Sequence, residues 1–114
     1  MKNCTDLEQS KKLAEILPLM SADMKILPSN KKEYRVVPVN DIAVWNRDDE
    51  VYCWSLTALL GVLPLIDLTT PQLIGTPKTL YRCQYNDDLK SHAYDNPIDA
   101  CYEMIIKLHE LKML

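Results

Sequence analysis

The chain has 114 residues, of which 47% are apolar and 25% charged, and its net charge is −3. A chain of this length hides about two-thirds of its unfolded surface, so the composition excludes wholesale disorder and any need for a disulfide or metal staple. The negative balance argues against a nucleic-acid binder, which carries a basic face, and against a membrane-surface role, because anionic lipid repels it.

The first predicted element is a helix that ends at Pro18, because the residue before a proline avoids helical angles. Thr5 and Glu8 have the spacing of a capping box. Leu7, Ser10, Ala14 and Leu17 share one face, with Leu13 and Ile16 beside them. Glu8 with Lys12, and Lys11 with Glu15, stand four apart on the other side. Residues 19–32 read as a connection with a short extra turn near Ser21–Met24, because Ser21, Asp23, Pro28, Ser29 and Asn30 are turn formers.

Glu33–Val39 reads as a strand, placed at a sheet edge by Pro38, which lacks a backbone donor. A polar connection follows, carrying Trp45 and the acidic run Asp48–Asp49–Glu50, with a short strand at Ile42–Val44. Val51–Trp54 is a second short strand. Ser55 then caps a helix whose Leu56, Leu59, Leu60 and Leu63 recur at helical spacing, stopped by Pro64.

Residues 65–78, with Pro71, Gly75 and Pro77, read as a loop. Thr79–Tyr85 is the clearest strand, with Tyr81, Cys83 and Tyr85 on one side and Leu80, Arg82 and Gln84 on the other. Asn86–Asp87–Asp88 turns the chain, and Lys90–Tyr94 returns as a hairpin partner. The last helix has Asn96 as N-cap, Pro97 in its first position and Asp99 against its dipole. Ile98, Cys101, Tyr102, Ile105 and Leu108 form its apolar stripe. Asp99, Glu103, Lys107 and Glu110 form its wet edge. The order predicts one α+β domain over residues 1–114. Its small antiparallel sheet has three to five strands, with two or three helices packed on one face.

Cys4, Cys53, Cys83 and Cys101 have wide spacings, with no C-x-x-C and no paired histidine, which opposes a zinc site. The segment MKNCTDLEQSKK lacks the apolar run of a signal peptide, and no stretch of about 18 apolar residues exists to span a membrane. The expectation is a cytoplasmic protein with free, buried thiols.

Gly61 and Gly75 are the only glycines, too few for a phosphate loop, a dinucleotide fingerprint or a nucleophile elbow. No cofactor and no metal site is expected. The candidate nucleophile is Cys83 with His92 as base, which a hairpin would bring together. The bland alternative packs Cys83 on the sheet between its tyrosines. Asp87, Asp88 and Asp95 flank His92 and Tyr94 in the densest polar-aromatic neighbourhood of the chain. Candidate binding residues are therefore Trp45, Tyr85, His92 and Tyr94. Tyr81–Arg82–Cys83–Gln84–Tyr85 alone interleaves aromatic and basic residues as a single-strand binder would.

Four segments resemble a family of small prophage and mobile-element proteins of gut anaerobes that have no assigned function. They are Glu8-Gln9-Ser10-Lys11-Lys12-Leu13, Ser21-Ala22-Asp23-Met24, Trp54-Ser55-Leu56 with Leu59, Leu60, Leu63 and Pro64, and Asn96-Pro97-Ile98-Asp99-Ala100 with Tyr102-Glu103-Met104. These are caps and core faces, so the resemblance implies a genomic setting and carries no site residue. The surplus of Leu, Ile and Met, including Leu63–Ile74 and Leu111, Met113 and Leu114, points to a non-enzymatic accessory protein. It would bind another protein or a second copy of itself as a homodimer. The alternatives are a small thiol- or histidine-dependent enzyme and, disfavoured by charge, a nucleic-acid binder.

Overall fold

The computed structural model describes residues 4–28, 34–38, 51–66, 69–75 and 80–114. Trp45, the acidic run at 48–50 and the strand expected at 42–44 lie outside the described residues. Helix α1 spans Leu7–Ile16, α2 Leu56–Val62 and α3 Pro97–Glu110. Strands β1 (Met24–Pro28), β2 (Tyr34–Pro38) and β3 (Val51–Cys53) form an antiparallel sheet in the order β2-β1-β3. Strands β4 (Gln72–Gly75) and β5 (Tyr81–Gln84) form a second antiparallel pair. The fold is α+β, and its five described strands are shared between two sheets.

The α1 cap is one residue from the expected place. Asp6 Oδ1 accepts from the Gln9 N–H at 2.8 Å, and Gln9 Oε1 accepts from the Asp6 N–H at 3.0 Å. Thr5 is occupied elsewhere. It is buried, its hydroxyl meets Ser10 Oγ at 2.7 Å and accepts from the Trp54 N–H at 3.1 Å, and its own N–H donates to the Trp54 carbonyl. A side chain clamped to β3 cannot also cap the helix. Ser10, Leu13 and Leu17 are buried, whereas Ala14 faces solvent. Lys12 pairs with Glu15, three residues on, at 3.9 Å.

β1 and β4 were expected as connections. Their turn-forming flanks hide them, and long-range pairing supplies what local propensity does not. β1 is the central strand, with Met24 opposite both Pro38 and Cys53. Lys25, at the middle of the sheet, is 3% exposed, with its ammonium 5.4 Å from the Tyr52 ring on the neighbouring strand. β2 pairs only with β1, so Pro38 sits on an edge strand as expected.

The expected Ser55 cap of α2 is present: its hydroxyl accepts from the Ala58 N–H and donates to the Asp23 carboxylate. Leu59 and Leu63 face the core, while Leu60 turns outward. The Lys90–Tyr94 return also forms. Tyr81 and Tyr94 exchange both backbone hydrogen bonds, and Gln84 bridges Lys90. The five residues Lys90–Tyr94 match the four of Tyr81–Gln84, so the ladder holds a bulge. At Cys83 the N–H donates to the Ser91 hydroxyl rather than to a carbonyl.

The main core joins Leu13, Leu17, Trp54, Leu59, Leu63, Cys83 and Tyr85 to the buried face of α3. That face comprises Ile98, Ala100, Cys101, Met104, Ile105 and Leu108. The Trp54 indole is wholly buried, and its N–H donates to Ser21 Oγ at 3.0 Å. α3 closes in a Schellman motif: Met113 N–H donates to the Leu108 carbonyl and Lys112 N–H to the His109 carbonyl. Lys112 holds the left-handed position, at φ 59°.

A side chain there carries a steric cost that glycine does not. Lys112→Gly is expected to raise unfolding free energy by roughly 0.5–1 kcal/mol in urea titration. Asp6→Ala is expected to lower it by about 1 kcal/mol. Equal stability of Asp6→Ala and the parent would show that α1 does not depend on this cap.

Candidate functional site

The densest polar arrangement lies where the 90–94 return meets α3. Asn86 starts it: its side-chain oxygen accepts from the N–H groups of Asp88 and Leu89, which turns the chain back after β5. The Tyr85 N–H then donates to the Leu89 carbonyl, and the Ser91 N–H to that of Cys83. His92 and Tyr94 are thereby presented to α3, where Glu103 stands.

Glu103 receives three hydrogen bonds from this segment. Its Oε2 accepts from the His92 backbone N–H at 2.8 Å. Its Oε1 lies 2.7 Å from His92 Nδ1 and accepts from the Tyr94 hydroxyl at 2.7 Å. Lys107, one turn along α3, stands 4.0 Å from Oε2 and donates to the Lys90 carbonyl at 2.8 Å.

The electrostatics follow from this crowding. Partial burial alone would raise the Glu103 carboxyl, but the Tyr94 hydroxyl, the His92 imidazole and the His92 N–H together hold it below its ordinary value. The same carboxylate, with burial added, pushes the Tyr94 phenol up to about 12. The His92 side chain is 84% exposed, and the bond at Nδ1 orients the ring.

Of the expected site residues, the structure brings His92 and Tyr94 together, through Glu103. Tyr85 is a core residue: it is 8% exposed and donates to the Pro64 carbonyl at 2.6 Å. Burial pushes its phenol up to about 12. Cys83 is fully buried in the main core with Cys101, while His92 is exposed and meets Glu103, so the expected Cys83–His92 pairing does not form. With Cys83 and Tyr85 both inside, the β5 strand presents no aromatic row for stacked bases. Asp87, Asp88 and Asp95 are exposed.

Glu103 itself was assigned to the wet edge of α3, with Asp99, Lys107 and Glu110. Its only signal in the sequence was its place on that wet edge. No group of three or more His, Cys, Asp or Glu able to hold a metal occurs among the described residues. No helix of the described residues is long and apolar enough to cross a membrane.

Glu103 contributes stability through a lowered native pKa. That contribution is present above the ordinary carboxyl value of about 4.3 and is lost as pH falls through the lower native value. Glu103→Gln is expected to cost about 1–3 kcal/mol at neutral pH and much less in acid once the carboxyl is protonated, read from thermal melts across pH. The Tyr94 contribution has the opposite sense, being present below about pH 10 and lost as pH rises through the native value. Ultraviolet titration should find Tyr94 ionising near pH 12 in the parent and earlier in Glu103→Gln. An unchanged tyrosine titration in that variant would refute the bond.

Compared with known proteins, the chain matches no family model, no curated protein and no solved structure at a significant level.

Proposed function

We propose that this chain is a non-enzymatic accessory protein that works by binding protein, either a second copy of itself or a partner, in a prophage or mobile-element setting. The observation that carries the reading is the set of large apolar side chains left in water. Met20 is 93% exposed and Leu65 62%, with Leu60 close by in sequence at the end of α2. Leu111, Met113 and Leu114 form a second exposed group after α3. Methionine and leucine shape themselves to varied partners, and apolar surface held in water on a small domain is the common signature of an interface.

The enzymatic alternative draws on His92, whose ring is anchored by Glu103 and otherwise exposed. It lacks the nucleophile that was expected to accompany it, because a thiol as deeply placed as Cys83 does not meet a substrate without local opening. We therefore read the His92–Tyr94–Glu103 group as a tie that fixes the return segment to α3.

The test is light scattering of the full chain over a range of concentrations, with capture from native-host lysate by tagged chain as the second arm. Self-association appears as a mass above the 13.1 kDa of one chain. Met20→Glu with Leu65→Glu, or Leu111→Glu with Met113→Glu, is expected to abolish the assembly or the capture while leaving the circular dichroism spectrum unchanged. A monomer at every concentration that captures no protein overturns the reading. So does an association that neither pair of substitutions weakens.

A further inference from the structure

The four cysteines are free and buried, and they lie as two pairs. Cys4 and Cys53 are the buried residues of their own small apolar cluster, which Met24 and Val51 cover. The clamp between Thr5 and Trp54, the next residue in each segment, holds them there. Cys83 on β5 and Cys101 on α3 share the main core where that strand and helix pack together. In each pair one thiol acts on the ionisation of the other, Cys4 on Cys53 and Cys83 on Cys101.

Ordinary packing does not require this arrangement. Four cysteines scattered through a core would each meet leucine or isoleucine more often than sulfur. Here every cysteine has another as neighbour, and each couple joins segments far apart in sequence.

We propose that Cys4–Cys53 and Cys83–Cys101 are two reversible dithiol–disulfide sites that close by exchange with a small-molecule disulfide such as oxidised glutathione. Closing the first would tie the segment before α1 to β3. Closing the second would tie β5 to α3, behind the return segment that carries His92.

The chemistry balances within each pair. One cysteine sulfur, as thiolate, attacks a sulfur of the small disulfide. The S–S bond of that reagent breaks, and half of it leaves as a thiol carrying the proton given up by the cysteine. The second cysteine then loses its proton and attacks the first, forming the protein disulfide and releasing the other half as thiol. Two electrons and two protons pass from the pair to the reagent.

In the second pair Cys83 and Cys101 are both fully buried, so either sulfur attacks once the core opens locally. In the first pair Cys53 is pushed up by its bond to Cys4 and by burial, and Cys4 retains 6% exposure against none for Cys53. Cys4 is therefore the point of entry. Reaction at either pair proceeds through local opening, because all four sulfurs are shielded.

The native full chain is incubated with excess oxidised glutathione, quenched with iodoacetamide, unfolded and read by intact mass and peptide mapping. The expected result is loss of all four alkylatable thiols, with cross-links Cys4–Cys53 and Cys83–Cys101 and no retained glutathione. Cys101→Ser should instead trap glutathione on Cys83, and Cys53→Ser should trap it on Cys4. If either variant fails to fold, the cross-link map of the parent decides alone. Cross-links between the pairs, persistent glutathione on the parent, or four thiols still alkylatable after prolonged incubation would each overturn the proposal.

Discussion

The described structure depends on one constraint: α3 has to bury a wide apolar face. Ile98, Ala100, Cys101, Met104, Ile105 and Leu108 are almost fully removed from water. At about 25 cal/mol per Å² of apolar surface, no other helix among the described residues offers a comparable gain. The rest is arranged to supply cover. β5 packs Cys83 and Tyr85 against this face, α2 contributes Leu59 and Leu63, and α1 contributes Leu13 and Leu17. The polar margins of α3 are used as well. Asp99 accepts from the Gln9 side chain at 2.8 Å, Glu103 takes the three bonds from the return segment, and Lys107 reaches the Lys90 carbonyl.

A carboxylate such as Glu103 illustrates how a margin becomes specific. Partial burial makes an unpaired charge costly, so the carboxylate must be met by donors. The return segment supplies them from a backbone N–H, an imidazole and a phenol within three consecutive residues. His92 and Tyr94 stand two residues apart, so the alternation of the returning segment puts both on the side that meets the helix. Ser91 supplies a ladder partner to Cys83 with its hydroxyl. The tie thus rests on one short returning segment laid against one carboxylate of α3.

The parts of this fold that were legible in the sequence are those that local chemistry decides. The Ser55 and Asn96 caps, the Pro64 stop and the apolar stripe of α3 each rest on residues within a turn of one another. Leu56–Val62 and Pro97–Glu110 match the expectation closely. The α1 cap was misread by one residue because a distant partner, Trp54, claimed Thr5. β1 and β4 were missed for the same kind of reason: a strand is held by neighbours far along the chain, and turn formers at its ends say nothing about them. For the site, polar and aromatic density singled out His92 and Tyr94, which the structure brings together on Glu103. It could not mark Tyr85 as core, and it could not find Glu103, whose role exists only once hairpin and helix meet.

The bond between Gln9 and Asp99 joins positions 90 residues apart. α1 is made early and α3 late, so during synthesis α1 has no completed surface to rest on. At about 5–20 residues per second that interval lasts on the order of 5–20 seconds. Until then Leu13 and Leu17 have only the cover of the earlier-made Trp54 and Leu59 in the same core, and α1 alone is too short to be stable in water. The fold is therefore assembled after translation has delivered α3, as one late and largely collective event, and the nascent chain spends its exposed period as a candidate for chaperone binding.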